Sequence, residues 1–212
     1  MIPTHYLDIA IHSDLRDGYA LQIVLAAVHS FNRRSHFEQS NSGYPLGIAF
    51  PFWVDPKFHA NRMMGFGSTG PVVRIISSRQ DLIADANTDT RLIQMRSIGE
   101  LSVGVLSSIP DNVTSWVSYC RASDGESLTP SQQRRLAKRL AARNDGNGSQ
   151  LATMRTVKTA EIGYLKLPLQ SASTNQTFNR PVRRFVSNSK STQPPTFDSW
   201  GFTKPGGTFP AF

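Results

Sequence analysis

The chain has 212 residues and a mass of 23.5 kDa, room for one large domain or two small ones with real cores, since domains usually hold roughly 100–150 residues. Hydrophobic residues at 39% and charged residues at 18% exclude a disordered tail, and the single Cys120 excludes both a disulfide framework and a cysteine-based zinc finger. Lys and Arg outnumber Asp and Glu 23 to 15, a formal charge of +8 with a pI near 10.1, which points to a polyanion or an anionic surface as partner without choosing between them.

That excess is unevenly placed. Residues 1–110 carry nine basic and nine acidic side chains, whereas residues 111–212 carry fourteen against six. Asp8 interrupts the apolar start, no basic n-region precedes it, and no run of 18 apolar residues occurs anywhere. The expectation is a cytoplasmic protein with no membrane partner.

In chain order, Leu7, Ile9 and Ile11 alternate with Asp8 and Ala10, the period of a half-buried strand. Asp14 stands where a helix cap would, and Leu21, Val24, Leu25 and Val28 mark one face of a helix running to about Asn32. Leu46, Ile48, Phe50 and Phe52 alternate again. A Gly/Met-rich loop at 60–70 leads to a strand around Val73 and Ile75. Residues 79–94 predict one short helix, and Leu101, Val103 and Val105 a fourth strand. The order β-α-β-β-α-β is the ferredoxin-like pattern also used by RNA-recognition domains. The stretch 98–106 has no Phe or Tyr to stack bases, so an ordinary sheet-face RNA reader is disfavoured. After Pro110 come strand-like pieces near 116–121, 161–169 and 181–187, a polar loop at 187–196 and a flexible loop at 145–150.

The strongest local signal is the helix expected at 129–144. Thr129 suits the N-cap, Pro130 the first turn and Gln132 the capping box. Arg134, Arg135, Lys138, Arg139 and Arg143 fill one half of its circumference; Leu136, Ala137, Leu140 and Ala141 fill the other. A solvated surface helix usually interleaves Glu with Arg, but here no acid falls between Gln132 and Asn144. Nucleic-acid binding is the favoured reading, ahead of a membrane surface, because the apolar face is small and Ala-rich.

By position alone His29, at the flank of the first helix's apolar stripe, reads as a structural histidine. The other histidines, His5, His12, His36 and His59, show no ligand spacing, so neither a metal nor another cofactor is expected. The segment from Leu167 to Phe178 is rich in hydroxyls and reads as a strand entering a turn.

Several stretches together resemble the type I-F CRISPR repeat-processing endoribonucleases. They are HYLDI at the start, LAAVHSFN on the first helix, GIAFPFW on the next strand, RLAARND closing the basic helix, the S-x-S-T-x-Q-x-F run from Ser171 to Phe178, and the terminal WGFTKPGGTFPAF. Each is weak alone; in register from first strand to last residue they are specific.

The resemblance implies an α+β enzyme of two parts: a ferredoxin-like domain at 1–110 supplying a histidine, and a basic α/β domain at 111–212 gripping an RNA hairpin with its arginine-rich helix. It implies cleavage of CRISPR repeat RNA at the 3′ base of the stem without metal, through the 2′-hydroxyl next to the scissile phosphate. The products are a 2′,3′-cyclic phosphate and a 5′-hydroxyl. The family histidine falls on His29, the hydroxyl that positions the ribose on Ser171 and a second serine on Ser173. Phe178 falls on the aromatic that stacks on the terminal base pair. Trp200 stands near the histidine where the family usually has a tyrosine, able to pack on the imidazole but lacking the hydroxyl. The helix carries Ala141 and Ala142 where relatives can be richer in arginine. The implied catalytic set is therefore His29, Ser171, Ser173 and Trp200. The implied RNA-binding set is Arg121, Arg134, Arg135, Lys138, Arg139, Arg143, Phe178 and Lys204.

Such an enzyme keeps its product and joins the other subunits of the type I-F Cascade complex. The runner-up is a hairpin-binding subunit that no longer cuts. A third class, a generic binder of polyanions or anionic lipid, would show no preference for a hairpin.

Overall fold

The computed structural model describes residues 2–12, 18–36, 43–55, 57–59, 62–65, 67–121, 164–171, 174 and 176–212, with backbone alone at 36, 57–59 and 62–65. Asp14, the basic helix expected at 129–144, the loop expected at 145–150 and Ser173 lie outside the described residues.

Strand β1 (His5–Ile11) buries Leu7, Ile9 and Ile11 and leaves Tyr6, Asp8 and Ala10 half-buried, as a two-residue period requires. Helix α1 (Tyr19–His36) follows, then β2 (Gly47–Ala49), β3 (Lys57–His59), β4 (Arg62–Gly65) and β5 (Val72–Ser77). Helices α2 (Gln80–Ala86) and α3 (Thr90–Ser97) lead to β6 (Leu101–Val103) and β7 (Ser107–Ser108). Four strands complete the described chain: β8 (Ser115–Arg121), β9 (Leu165–Gln170), β10 (Thr177–Ser187) and β11 (Phe209–Ala211).

The first sheet has the order β2-β5-β1-β6, with β7 also paired to β1, and every pairing is antiparallel. Its order is compatible with a ferredoxin-like fold. The second sheet runs β11-β8-β10-β9, again antiparallel. The architecture is thus mixed α/β with antiparallel sheets.

Four local expectations need correction. A β3–β4 hairpin stands where a Gly/Met-rich loop is predicted; strands of three and four residues are too short for a two-residue period to register. The single helix predicted over 79–94 is two helices, because Asp89 caps α3 by accepting the Arg91 amide at 3.0 Å. β6 stops at Val103, where the Gly104 amide turns to the Asp8 carbonyl, and Val105 is 83% exposed. Phe52 likewise lies beyond the end of β2, in a turn and exposed.

The core crosses the midpoint of the chain. Ile9, Val24, Leu25, Ile48 and Ile75 from the first half share one hydrophobic cluster with Tyr119, Leu169, Val182, Trp200 and Phe209 from the second. Helix α1 shows why. Besides its predicted stripe, Ile23, Ala26 and Ala27 are buried too, and β9 from the second half packs against the helix along with α2 and α3. A buried hydrogen bond from the Tyr119 hydroxyl to the Phe50 carbonyl, 2.7 Å, fastens β8 to the chain beyond β2.

Candidate active site

Past its deeply buried turns, α1 presents His29 and Ser30 half-buried and Arg33 and Arg34 exposed. Beneath them the fully buried Asn32 clamps two remote segments. Its Nδ2 donates to the Leu46 carbonyl at 3.0 Å and to the Ser199 carbonyl at 3.3 Å, and its Oδ1 accepts the Leu46 amide at 3.1 Å. The Ser199 carbonyl also receives His29 Nδ1, at 3.2 Å. A carbonyl can only accept, so Nδ1 carries the proton, and in the neutral ring the lone pair belongs to Nε2.

Ser199 sits in a turn that Asp198 organises. Its Oδ1 accepts the amides of Trp200 (2.8 Å) and Phe202 (3.0 Å), while Gly201 takes a φ of +83°, which favours glycine. The other carboxylate oxygen accepts Arg180 Nη1 at 2.8 Å. The turn thereby lays Trp200 flat on His29, with ring centroids 4.0 Å apart and planes 6° from parallel. Phe178 of β10 meets the Trp200 ring edge-on at 6.0 Å.

Burial holds the His29 imidazole below its ordinary value of 6.5. The bond to Ser199 opposes that shift; the charges of Arg33 and Arg180 add to it, and Asp198 opposes it. The neutral, basic form therefore predominates at physiological pH. Burial likewise lowers Arg180, against the charge of Asp198.

His29 opens into a cleft of about 790 Å³ lined by Ser30, Arg33, Arg34, Asp89, Thr90, Arg91, Ser171, Phe178 and Trp200 as well. Ser171 follows the end of β9. Its amide donates to the Gln176 carbonyl and its hydroxyl accepts the Thr174 amide at 3.3 Å, which sets Thr174 and Gln176 beside the end of the strand.

Of the predicted residues, the fold brings His29, Ser171, Phe178 and Trp200 to one cleft. Arg121, at the exposed end of β8, and the exposed Lys204 are not among its lining residues. Ser173, Arg134, Arg135, Lys138, Arg139 and Arg143 lie outside the described residues. Sequence reasoning passes over Arg33, Arg34, Arg91, Arg180 and Asp198. Arg33 was within reach of it, since four residues after His29 is the same helix face. Arg91, Arg180 and Asp198 carry no local signal, because only tertiary contacts bring them to the site. Among the described residues no group of three His, Cys, Asp or Glu side chains is placed to hold a metal ion.

A neutral histidine, a hydroxyl and several guanidinium groups around one cleft suit acid–base chemistry on a phosphodiester. The sequence matches the Cas_Csy4 family of CRISPR-associated proteins over residues 6–212. The chain belongs to that family, whose members are CRISPR repeat-cleaving endoribonucleases. Among solved structures, a crystal structure of Cas6b is similar at 12% identity, covering 99% of this chain and 100% of that one, with a TM-score of 0.29. No curated protein matches the sequence.

Proposed function

We propose that this endoribonuclease cuts CRISPR repeat RNA at the 3′ base of its stem-loop, without metal, and then stays on the 3′ hairpin as part of the type I-F Cascade complex in the cytoplasm. Residues 1–110 form the ferredoxin-like part that carries the base. Residues 111–212 form the part that grips the hairpin, with the helix at 129–144 as the clamp. The observation that carries this reading is the fixed tautomer of His29: Nδ1 is held by the Ser199 carbonyl and the ring is pressed against Trp200.

Nε2 takes the proton of the 2′-hydroxyl preceding the cut. The freed oxygen attacks phosphorus, the bond to the 5′ oxygen breaks, and that oxygen takes a proton from water, whose hydroxide is neutralised by the proton that His29 then releases. A 2′,3′-cyclic phosphate and a 5′-hydroxyl result. Ser171 holds the ribose in line, Ser173 assists in the same run, and Phe178 stacks on the terminal base pair. Arg121, Arg134, Arg135, Lys138, Arg139, Arg143 and Lys204 meet phosphates or guanine edges of the stem.

Incubation of the protein with a repeat hairpin in EDTA tests this directly. Cleavage is expected, and it should vanish with a 2′-deoxy nucleotide before the cut or with His29→Ala, the variant keeping hairpin affinity within a few fold. RNA that is bound but left intact by the wild type would overturn the reading in favour of a hairpin-binding subunit.

A further inference from the structure

Asn32 stands where the apolar stripe of α1 should continue. Leu21, Val24, Leu25 and Val28 define that stripe, and the residue four positions after Val28 is a fully buried amide. Burying an amide is tolerated where its hydrogens and oxygen find partners, and here the partners differ in kind. The Leu46 amide donates to Oδ1 at 3.1 Å, while the Leu46 carbonyl accepts from Nδ2 at 3.0 Å. These two bonds to one residue close a ring and decide which end of the side chain is oxygen and which is nitrogen. They use one hydrogen of Nδ2. The other goes to the Ser199 carbonyl at 3.3 Å, the same oxygen that accepts His29 Nδ1 at 3.2 Å. A carbonyl oxygen has two lone pairs, and both are engaged by side chains from one face of one helix.

A clamp on Leu46 alone would need only the ring. The third bond ties the turn to the helix that carries the histidine. Asp198 holds the amides of Trp200 and Phe202, and the Ile48 amide holds the Gly201 carbonyl; these bonds fix the neighbours of the Ser199 carbonyl and not that carbonyl itself. We infer that Asn32 is a positioning residue for His29: its second amide hydrogen holds the Ser199 carbonyl where His29 Nδ1 meets it, so that Nδ1 keeps the proton and Nε2 the lone pair. Being fully buried, Asn32 touches no RNA and acts only through the shared oxygen. Without it the carbonyl rotates away from the ring, water takes its place at Nδ1, and the neutral imidazole divides between two tautomers, only one of which leaves Nε2 basic. The effect on the ring stands by itself; the effect on the rate rests on His29 being the base proposed above.

Nitrogen NMR of isotope-labelled histidine rings tests this at about pH 8, above the ordinary histidine range, so that the neutral ring is observed; His29 is assigned by its loss in His29→Ala. In the wild type Nδ1 should give a protonated-type signal and Nε2 an unprotonated one. Asn32→Leu keeps the bulk of the side chain, and Asn32→Ser leaves room for a water beside Leu46. In both, the two ring signals should move toward each other as the tautomers mix. Single-turnover cleavage at saturating protein should fall about tenfold, part of the roughly 10²–10⁴ that a positioned base contributes, with hairpin affinity within a few fold of the wild type. Ile83→Ala, at a fully buried position in α2, separates positioning from stability: its cavity should lower the denaturation midpoint yet leave the ring signals and the rate as in the wild type. If an Asn32 variant is too unstable alone, its spectrum and that of the wild type are compared on a hairpin with 2′-deoxy before the cut, which favours the folded state by mass action. A wild-type ring protonated on Nε2, wild-type ring signals in the Asn32 variants, or an equal shift in Ile83→Ala overturns the inference, even if His29→Ala abolishes cleavage. Mixed tautomers in the Asn32 variants of a protein that leaves all-RNA hairpins intact would instead uphold the positioning and sink the catalytic reading.

Discussion

At position 200 an indole 5% exposed lies flat on the imidazole of His29, and this stacking ties ring orientation to basicity. The stacked face excludes water from His29, which disfavours the imidazolium and lowers the pKa. If His29 is the general base proposed above, it works in its neutral form, so the cleavage rate should rise with pH through that lowered pKa and level off above it. Trp200→Ala removes part of the desolvation and the stop that fixes the ring. Single-turnover rates between about pH 5 and 9 should then show a slower reaction whose acid limb has moved up toward the ordinary histidine range. Trp200→Tyr keeps a flat ring and should remain active with a modestly altered profile. If Trp200→Ala cuts as fast as the wild type at every pH, the indole is ordinary core packing and does not organise the base.

The element that makes this stacking possible is the turn from Asp198 to Phe202. One carboxylate caps two amides of the turn and holds Arg180, and the Gly201 carbonyl accepts the Ile48 amide of β2 at 2.9 Å. Any side chain at Gly201 would meet both a positive φ and Ile48 Cγ1 at 2.8 Å, so the turn has little freedom to rearrange. Asp198→Ala leaves two amides and a mostly buried guanidinium without their acceptor. It should cost about 2–4 kcal/mol of stability, by analogy with charged hydrogen bonds and broken ion pairs. It should also slow cleavage, because the Ser199 carbonyl that sets the histidine tautomer rides on the same turn. Asp198→Asn retains an oxygen for the amides and should recover part of both effects. Denaturant unfolding and single-turnover rates check this; an Ala variant with wild-type stability and rate would mean the turn is held by other interactions.

For the whole molecule, charge and packing are distributed differently. Charge is divided along the chain, with the excess of basic residues entirely in 111–212, while the hydrophobic core is shared by both halves. Arg74 is one joint between them: it pairs with Asp8 at 2.7 and 2.9 Å, donates to the Phe212 carbonyl at 2.6 Å, and lies over the Tyr6 and Phe212 rings. A shared core holds His29 of the first half in fixed geometry against Ser171, Phe178 and Trp200 of the second, which cleavage at one phosphodiester demands. If the grip is the helix at 129–144, replacing Arg135, Arg139 and Arg143 together should weaken hairpin binding strongly. The slope of log K against log salt should flatten by about one unit for each phosphate left without its arginine. Unchanged binding across a salt titration would return that helix to the role of a solvated surface.

The sequence alone was sufficient for features written in neighbouring residues. The alternation of Leu7, Ile9 and Ile11 specifies β1, and the spacing of Leu21, Val24, Leu25 and Val28 specifies α1, because each element buries a face whose period is local. Resemblance of several motifs in register pointed to His29, Ser171, Phe178 and Trp200, although the position of His29 by itself suggested a structural residue. Tertiary structure decided what those residues touch. Only the closure of the 198–202 turn onto α1 stacks Trp200 on His29 and fixes its tautomer, across 170 positions of chain. Only tertiary packing, of β9 together with α2 and α3 on α1, buries helix residues beyond the predicted stripe. Interactions between residues so far apart leave no periodic trace in one sequence, since they depend on how the sheets close around the helix rather than on the spacing within any element.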